Sequence, residues 1–560
     1  MKLLIQKHQF HQFKIFYFFK KEYKELMDFY KLKNYINDDT LSDWFDLMNS
    51  NFKIYRMDDK NNFLLRIENK KKEYINNFLN HFNSDSNYFS NLDYDTIREK
   101  IKNKEKFICY RPKLYNNRYK LYVTPDLIFH RDLFLKYFPD VKIDIPEYII
   151  FDILYKIIYF NSDKNDILNK NNITYHKCKL YVSSDSLNIK NKGYFIAREY
   201  RHRENKLNKK ESIGFFKFKN EYKELVVNGL KWLQKLNENY DKWSIYPEPS
   251  IIELYPNMNY KQGRWQNEKR TLAELIKEIT LIWNISYKER CNLLHKGIKK
   301  WDDPLLLNNI YSYKVNEYRN FDVQNKMIHI NLNDEIDIKP RKIKNYDFIQ
   351  KIKDTSDSII LDIESIINED INDDYFKNEY YTELPRIAII GTINNNTNVF
   401  KDFTIKYISN EEEKKIINYW TNYLFNIFKN KKIKVYHWGN AEKIYIKYMK
   451  KKYNDIIFPE FELIDLLYYF KKEPISIKGC FGYGLKEIVK CLYNLNLIDN
   501  QWQEDLDGLE AMIKIMEVSD KSKIMNIPLK RFKEIKNIIY YNYMDCRVLV
   551  DILQLLHSMI

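Results

Sequence analysis

The chain has 560 residues, of which 44% are hydrophobic and 30% charged, and it carries a formal net charge of +16 at pH 7. This length and balance suit a globular protein of roughly two to four domains with real apolar cores. No apolar run approaches the ~18 residues of a membrane span, so no membrane contact is expected. The apolar stretches that follow Met1 are too broken for a signal peptide, which points to an intracellular protein.

In chain order, residues 1–100 alternate polar and aromatic runs and are expected to be largely helical, with Asp39-Thr40-Leu41-Ser42-Asp43 reading as a capped helix start. From about 105 to 200 short β-rich runs follow: Lys120–Val123, Tyr148–Phe151 and Lys179–Val182. A mostly helical region extends to about 310. The basic segment Lys339-Pro340-Arg341-Lys342 then reads as a linker, and Ser358–Asp362 opens a new strand. The expected fold class is mixed α/β, with sections at 1–100, 101–235, 236–345 and 346–560.

Six cysteines stand singly, at 109, 178, 291, 480, 491 and 546, with no Cys-x-x-Cys pair. A zinc ribbon or redox motif therefore has no support, and a reducing compartment fits. The positive charge favours a polyanionic partner, because lysine and arginine release counterions from phosphate. Richness in Lys, Asn, Ile and Tyr is also what AT-rich coding produces. That bias raises Asp and Glu as well, and does not by itself explain the excess of cations.

Three acidic signals lie in the C-terminal part. Ile359-Ile360-Leu361 reads as a buried strand, and Asp362 and Glu364 continue it at spacing two, so both leave one face. Taken alone, the pair reads first as a strand end entering a polar loop. Glu442 falls in the first turn of a helix expected after Val435-Tyr436-His437-Trp438-Gly439-Asn440, where it can simply favour the helix dipole. Tyr541 and Asp545 stand at i and i+4 on one helical face. Asp465 is a neighbour of these groups or a helix cap. Paired carboxylates on a buried strand repel, and a divalent cation pair removes that penalty while activating water for phosphodiester hydrolysis.

In this order the acids resemble the layout of the tyrosine subtype of DEDD exonucleases. Glu473-Pro474-Ile475-Ser476-Ile477-Lys478-Gly479-Cys480-Phe481-Gly482-Tyr483-Gly484-Leu485-Lys486 resembles a glycine-bearing stretch of a protein family of large nucleocytoplasmic DNA viruses. Asp507–Met512 and Tyr541–Cys546 match the same family, and the likeness is densest from about 355 to 555. More distantly the chain is similar to bacterial proteins that join a RecB-like nuclease to an RNase H-like exonuclease. The resemblance implies an RNase H-like C-terminal domain with a central mixed sheet, acting as a 3′–5′ exonuclease. It implies Asp362, Glu364, Glu442 and Asp545 as ligands of two Mg²⁺ or Mn²⁺ ions, with Tyr541 positioning the water. Host cytoplasm is then the expected location. Lys478, Gly479, Gly482, Gly484 and Lys486 form a candidate strand-binding loop, with His437 and Asn440 beside it; otherwise the glycines serve a loop with positive φ. Nucleic acid is the expected partner, with DNA favoured over RNA because no RNA-specific motif is visible.

The N-terminal part resembles the PD-(D/E)XK nuclease core of the same family, a restriction-endonuclease-like fold. Asp126, in Thr124-Pro125-Asp126-Leu127, matches the first metal ligand, and Asp152 matches the next. The family's lysine two residues on is here Leu154, with Lys156 further along; its glycine before Pro-Asp is Val123, and its glutamine is Lys179. The resemblance thus implies a degenerate site, with Asp126, Asp152 and Lys156 as remnants and the domain retained for substrate binding or packing. Ile279–Ile298 reads either as a hairpin that holds a phosphate backbone or as a plain helical hairpin. A non-catalytic nucleic-acid-binding scaffold, or an RNA exonuclease, is the competing expectation.

Overall fold

The computed structural model is a mixed α/β protein with two main sheets, each covered by helices. It describes residues 27–48, 59–141, 144–164, 166–169, 173–189, 192–203, 205–207, 213–260, 265–310, 318–333, 335–366, 386–429, 431–503 and 506–560. The stretch from Met1 that bears on the signal-peptide reading lies outside the described residues. The described part of 1–100 is chiefly helical, as in Thr40–Met48, which starts where Asp39 accepts the Ser42 hydroxyl, and in Tyr94–Lys102.

The first sheet contains β1 (Tyr88–Ser90), β2 (Ile108–Tyr110), β3 (Leu127–His130), β4 (Tyr148–Phe160), β5 (Lys192–His202) and β6 (Gly214–Lys217). They lie in sequence order across the sheet, and Asn205–Lys206 adds a short strand beside β5. The β1–β2 and β4–β5 pairs are parallel and the other neighbours antiparallel. The first seven residues of β4 are all buried, which its apolar run, broken by Asp152 alone, requires of a strand covered on both faces.

Lys179–Val182 is not a strand. It lies in helix α1 (Ile173–Ser186), which packs on β4 and β5. Ile173, Lys177, Cys178, Leu180, Val182, Ser183 and Ser184 are buried, so the helix is covered nearly all round and shows no single apolar stripe. A short apolar run of that kind does not distinguish helix from strand by period.

The linker reading of 339–345 is also corrected. Ile338–Lys339 pairs with Ser476–Ile477 as a two-stranded ribbon, and the buried Ile343 donates its N–H to the Met559 carbonyl at 2.9 Å. The Lys344 and Asn345 amides donate to the Glu473 carboxylate at 2.7 and 3.1 Å. Local polarity gave the appearance of a free segment, whereas partners more than 120 residues away satisfy its backbone. One continuous apolar core runs from Met258, Ile279 and Ile298 through Phe348 to Leu556, so the helical region before 345 packs with the C-terminal part. Ile279–Ile298 forms a 3₁₀ turn followed by one capped helix, Tyr287–His295, and the Trp283 amide bonds the Phe481 carbonyl.

The second sheet contains β7 (Ser358–Ile366), β8 (Arg386–Asn394), β9 (Val399–Thr404), β10 (Ile433–His437) and β11 (Phe461–Asp465), in the order β9–β8–β7–β10–β11. β7 is central, antiparallel to β8 and parallel to β10; β8 and β9 are antiparallel and β10 and β11 parallel. Helix α2 (Asn410–Phe428) covers β8 and β9, and α3 (Ala441–Lys452) follows β10. Helices α4 (Leu485–Asn494), α5 (Gly508–Met525) and α6 (Lys533–Ser558) follow β11, and α5 and α6 both pack on β7. Among the described residues no helix is long and apolar enough to cross a membrane.

Candidate metal centre

Asp362 and Glu364 leave one face of β7, and α6 crosses that face carrying Asp545. One carboxylate oxygen from each of the three lies within 4.8 Å of the others. Glu364 and Asp545 are buried, and Asp362 keeps a partial opening to solvent. The strand pairing explains the approach: Asp362 stands opposite Gly391 on β8, and over Gly391 there is room for Asn542 of α6. Asn542 donates to Asp362 Oδ2 at 2.6 Å, one helical turn before Asp545.

The electrostatics are those of crowded anions. Burial first, then repulsion from Asp545, Glu364 and Glu442, pushes Asp362 well above the usual carboxylate range, against the Asn542 hydrogen bond. Burial, with Asp545 and Glu442, lifts Glu364 to about 8. Burial likewise lifts Asp545 to about 7, although the nearby Tyr541 hydroxyl and Lys486 favour its charged form. The Tyr541 phenol is itself pushed up by burial and by Asp545, Glu364 and Asp362. The Trp502 indole lies beside Asp545 and favours its charged form.

Glu442 reaches the same group from the first turn of α3, buried, with Oε2 lacking any hydrogen-bond partner. Its placement depends on the preceding turn. Gly439 adopts φ +90°, where a side chain is strained, and its N–H donates to Asp465 Oδ1 at 2.8 Å. Asp465 thus starts the next helix without capping it and instead holds this turn. His437 Nδ1 donates to the Gly439 carbonyl at 2.8 Å and lies 3.5 Å from Glu442 Oε2. His437 is buried and braces the turn, and Asn440 is exposed at the helix start.

Of the glycine-bearing loop, Lys486 comes to the carboxylates. Its ammonium bonds the Leu506 carbonyl, lies over the Tyr541 ring at 5.2 Å, and favours ionisation of Glu364 and Asp545. The Lys478 and Gly479 amides are engaged by the Asp337 carbonyl and by Asn331 Oδ1, so they do not form a phosphate cradle. Gly479 adopts φ +80°, and a Cβ on Gly482 would meet Glu487 Oε2 at 2.5 Å. Those two glycines answer local packing needs, while Gly484 is exposed at the start of α4.

All the acidic donors are hard oxygens, Glu442 Oε2 is buried without a partner, and the carboxylates raise one another's pKa. Asp362, Glu364 and Asp545 can therefore hold a hard divalent cation, with Glu442 beside them. Asn542 and Trp502 escaped the sequence reading. Asn542 was legible as i−3 from Asp545 on the same helical face, whereas nothing local marks Trp502.

In the first sheet Asp126 and Asp152 are neighbours, as their positions imply. Asp126 Oδ2 accepts the Ile153 N–H at 2.7 Å, and Asp152 Oδ1 accepts the Asp126 N–H at 3.3 Å. Lys156 does not join them. The β4 register shifts between Leu154 and Ile157, and Lys156 is exposed. Instead Lys179 reaches in from α1, 2.8 Å from Asp152 Oδ1 and 3.7 Å from Asp126 Oδ1. His176 Nδ1 lies 3.0 Å from Asp152 Oδ2. His176 was not singled out, and Lys179 was read only as replacing the family's glutamine, because helical spacing three places the two together only once 173–186 is known to be a helix. No family model matches the chain, and no curated protein matches it.

Proposed function

We propose that the chain is a metal-dependent 3′–5′ exonuclease whose chemistry resides at Asp362, Glu364, Glu442, Asp545 and Tyr541. The observation that carries this reading is the convergence of three acids, from a central strand and a helix 180 residues later, within 4.8 Å. The sheet order and the acid-bearing central strand support the RNase H-like reading of the C-terminal part. The likeness to the viral family supplies the direction of digestion, the preference for DNA rests on the lack of a visible RNA-specific motif, and the net charge of +16 suits a nucleic acid of either kind.

The residues would hold Mg²⁺ or Mn²⁺, which when bound supply an activated water and charge neutralisation at the phosphodiester. Asn542 orients Asp362, and Gly439, Asp465 and His437 orient Glu442. The Tyr541 hydroxyl, close to Asp545, would orient a water. Lys486 offers positive charge to a backbone phosphate beside the carboxylates. The restriction-endonuclease-like reading of the first sheet is supported by the adjacent acids on its antiparallel strands, and its role is substrate binding.

The test is digestion of 3′-labelled DNA and RNA oligonucleotides with Mg²⁺ or Mn²⁺. Activity should vanish in the Asp362→Ala/Glu364→Ala variant; full activity in that variant would sink the assignment. Binding with steep salt dependence but no cleavage by the unaltered chain would favour the scaffold reading.

A further inference from the structure

The Asp126–Asp152 pair poses a separate question: whether it takes a metal ion, as the resemblance would suggest, or already has its cation. Asp126 immediately precedes β3 and Asp152 lies on β4, paired so that the Asp126 N–H meets both the Phe151 carbonyl and Asp152 Oδ1. Two carboxylates side by side in a buried place need compensation. Here every carboxylate oxygen already has a group of the chain against it. Asp126 Oδ2 has the Ile153 amide at 2.7 Å, and Asp126 Oδ1 has Lys179 Nζ at 3.7 Å. Asp152 Oδ1 has the same ammonium at 2.8 Å, and Asp152 Oδ2 has His176 Nδ1 at 3.0 Å.

A divalent ion would require the lone pairs that the ammonium and imidazole occupy, and would meet a positive charge within contact distance. Among the described residues, the C-terminal acids form a group of donors within 4.8 Å and the N-terminal acids with His176 do not. Glu442 Oε2, by contrast, is buried without a hydrogen-bond partner, and its neighbour at 3.5 Å, His437 Nδ1, is engaged by the Gly439 carbonyl. The residues around Asp126 and Asp152 therefore do not fit a metal.

We infer that the ε-ammonium of Lys179 is the permanent cation of this site, standing between Asp126 and Asp152 and fastening helix α1 to the sheet in place of a metal ion. His176, one turn earlier on the same face, completes the attachment. The charge state agrees with this. Burial alone would lower the Lys179 pKa, but the two carboxylates outweigh it and hold the ammonium charged. Burial disfavours the Asp152 anion, yet Lys179 and His176 bring its pKa down to about 2.

The experiment counts Mn²⁺ ions by titration calorimetry and records thermal unfolding, in a chain whose C-terminal acids are silenced by Asp362→Asn/Asp545→Asn. With Lys179 intact, no Mn²⁺ should bind, and adding Asp152→Asn should change nothing in the count. Adding Lys179→Ala instead should lower the melting temperature in chelator and create one Mn²⁺ site per chain. That new site should raise the melting temperature again and be lost on further adding Asp152→Asn. A Mn²⁺ ion bound while Lys179 is present and lost with Asp152→Asn would overturn the inference. So would a folded Lys179→Ala chain that gains no ion. Should Lys179→Ala not fold, Lys179→Arg must still fold without binding Mn²⁺, and an ion bound there overturns the inference. None of these readouts depends on the exonuclease proposal.

Discussion

Asn542 Nδ2 donates to Asp362 Oδ2 at 2.6 Å, and a Cβ on Gly391, the residue paired with Asp362 on the next strand, would lie 1.6 Å from Asn542 Oδ1. The hydrogen bond that orients the first acid of the centre thus depends on a missing side chain in a neighbouring strand. Asn542→Ala should lower metal affinity or activity by about 10–100-fold, the usual effect of removing a group that orients a ligand. Gly391→Ala should do the same and also destabilise the fold by about 1–3 kcal/mol through overpacking. Calorimetric Mn²⁺ binding and thermal unfolding check both, and unchanged affinity in Asn542→Ala would refute the orienting role.

Without divalent ions, stability should depend on pH with a definite sign. Glu364 rises to about 8 and Asp545 to about 7, above their unfolded values, so the folded chain binds more protons across that interval. Stability is then greatest near pH 4 and falls as pH rises to about 8, by on the order of a few kcal/mol. Mg²⁺ or Mn²⁺ should reverse most of this loss at pH 8. Denaturant titrations from pH 4.5 to 8.5, with chelator and with metal, measure the slope. Glu364→Gln should flatten it.

Lys486 opposes the upward shift of Glu364 and Asp545. Lys486→Met should therefore raise both further and move the pH of half-maximal Mn²⁺ binding upward. Binding isotherms at several pH values show this directly; an unmoved midpoint would mean that the ammonium is not coupled to the carboxylates.

Tyr541→Phe removes the hydroxyl close to Asp545 while leaving the acids in place. On the proposed function, the rate of 3′-end digestion should fall about 10²-fold or more, as for loss of a group that handles the attacking water. Mn²⁺ binding should persist, which separates a role in the reaction from a role in ligand geometry.

Gly439 holds φ +90° in the turn that delivers Glu442. Gly439→Ala should cost about 1–3 kcal/mol of stability through backbone strain. Asp465→Asn, which weakens the acceptor of the Gly439 N–H, should reduce activity with a smaller stability loss. Parallel unfolding and digestion assays distinguish the two.

What the sequence determined by itself were relations inside single elements. The two-residue period of a strand places Asp362 and Glu364 on one face, and the 3.6-residue period of a helix places Tyr541 with Asp545. The strand–turn–helix around Glu442 was legible for the same reason, from Gly439 and the apolar run before it. Relations between elements were decided only by the tertiary structure. Whether 179–182 is strand or helix depended on burial on nearly every side, which erases the period that would announce it. That in turn decided that Lys179, rather than Lys156 within the register shift of β4, meets Asp126 and Asp152. The polar 339–345 segment is held by Glu473 and Met559, too distant in sequence to leave a local mark. The acidic cluster itself has both origins: periodicity chose the faces of β7 and α6, and the strand register opposite Gly391 let those faces close to within 4.8 Å.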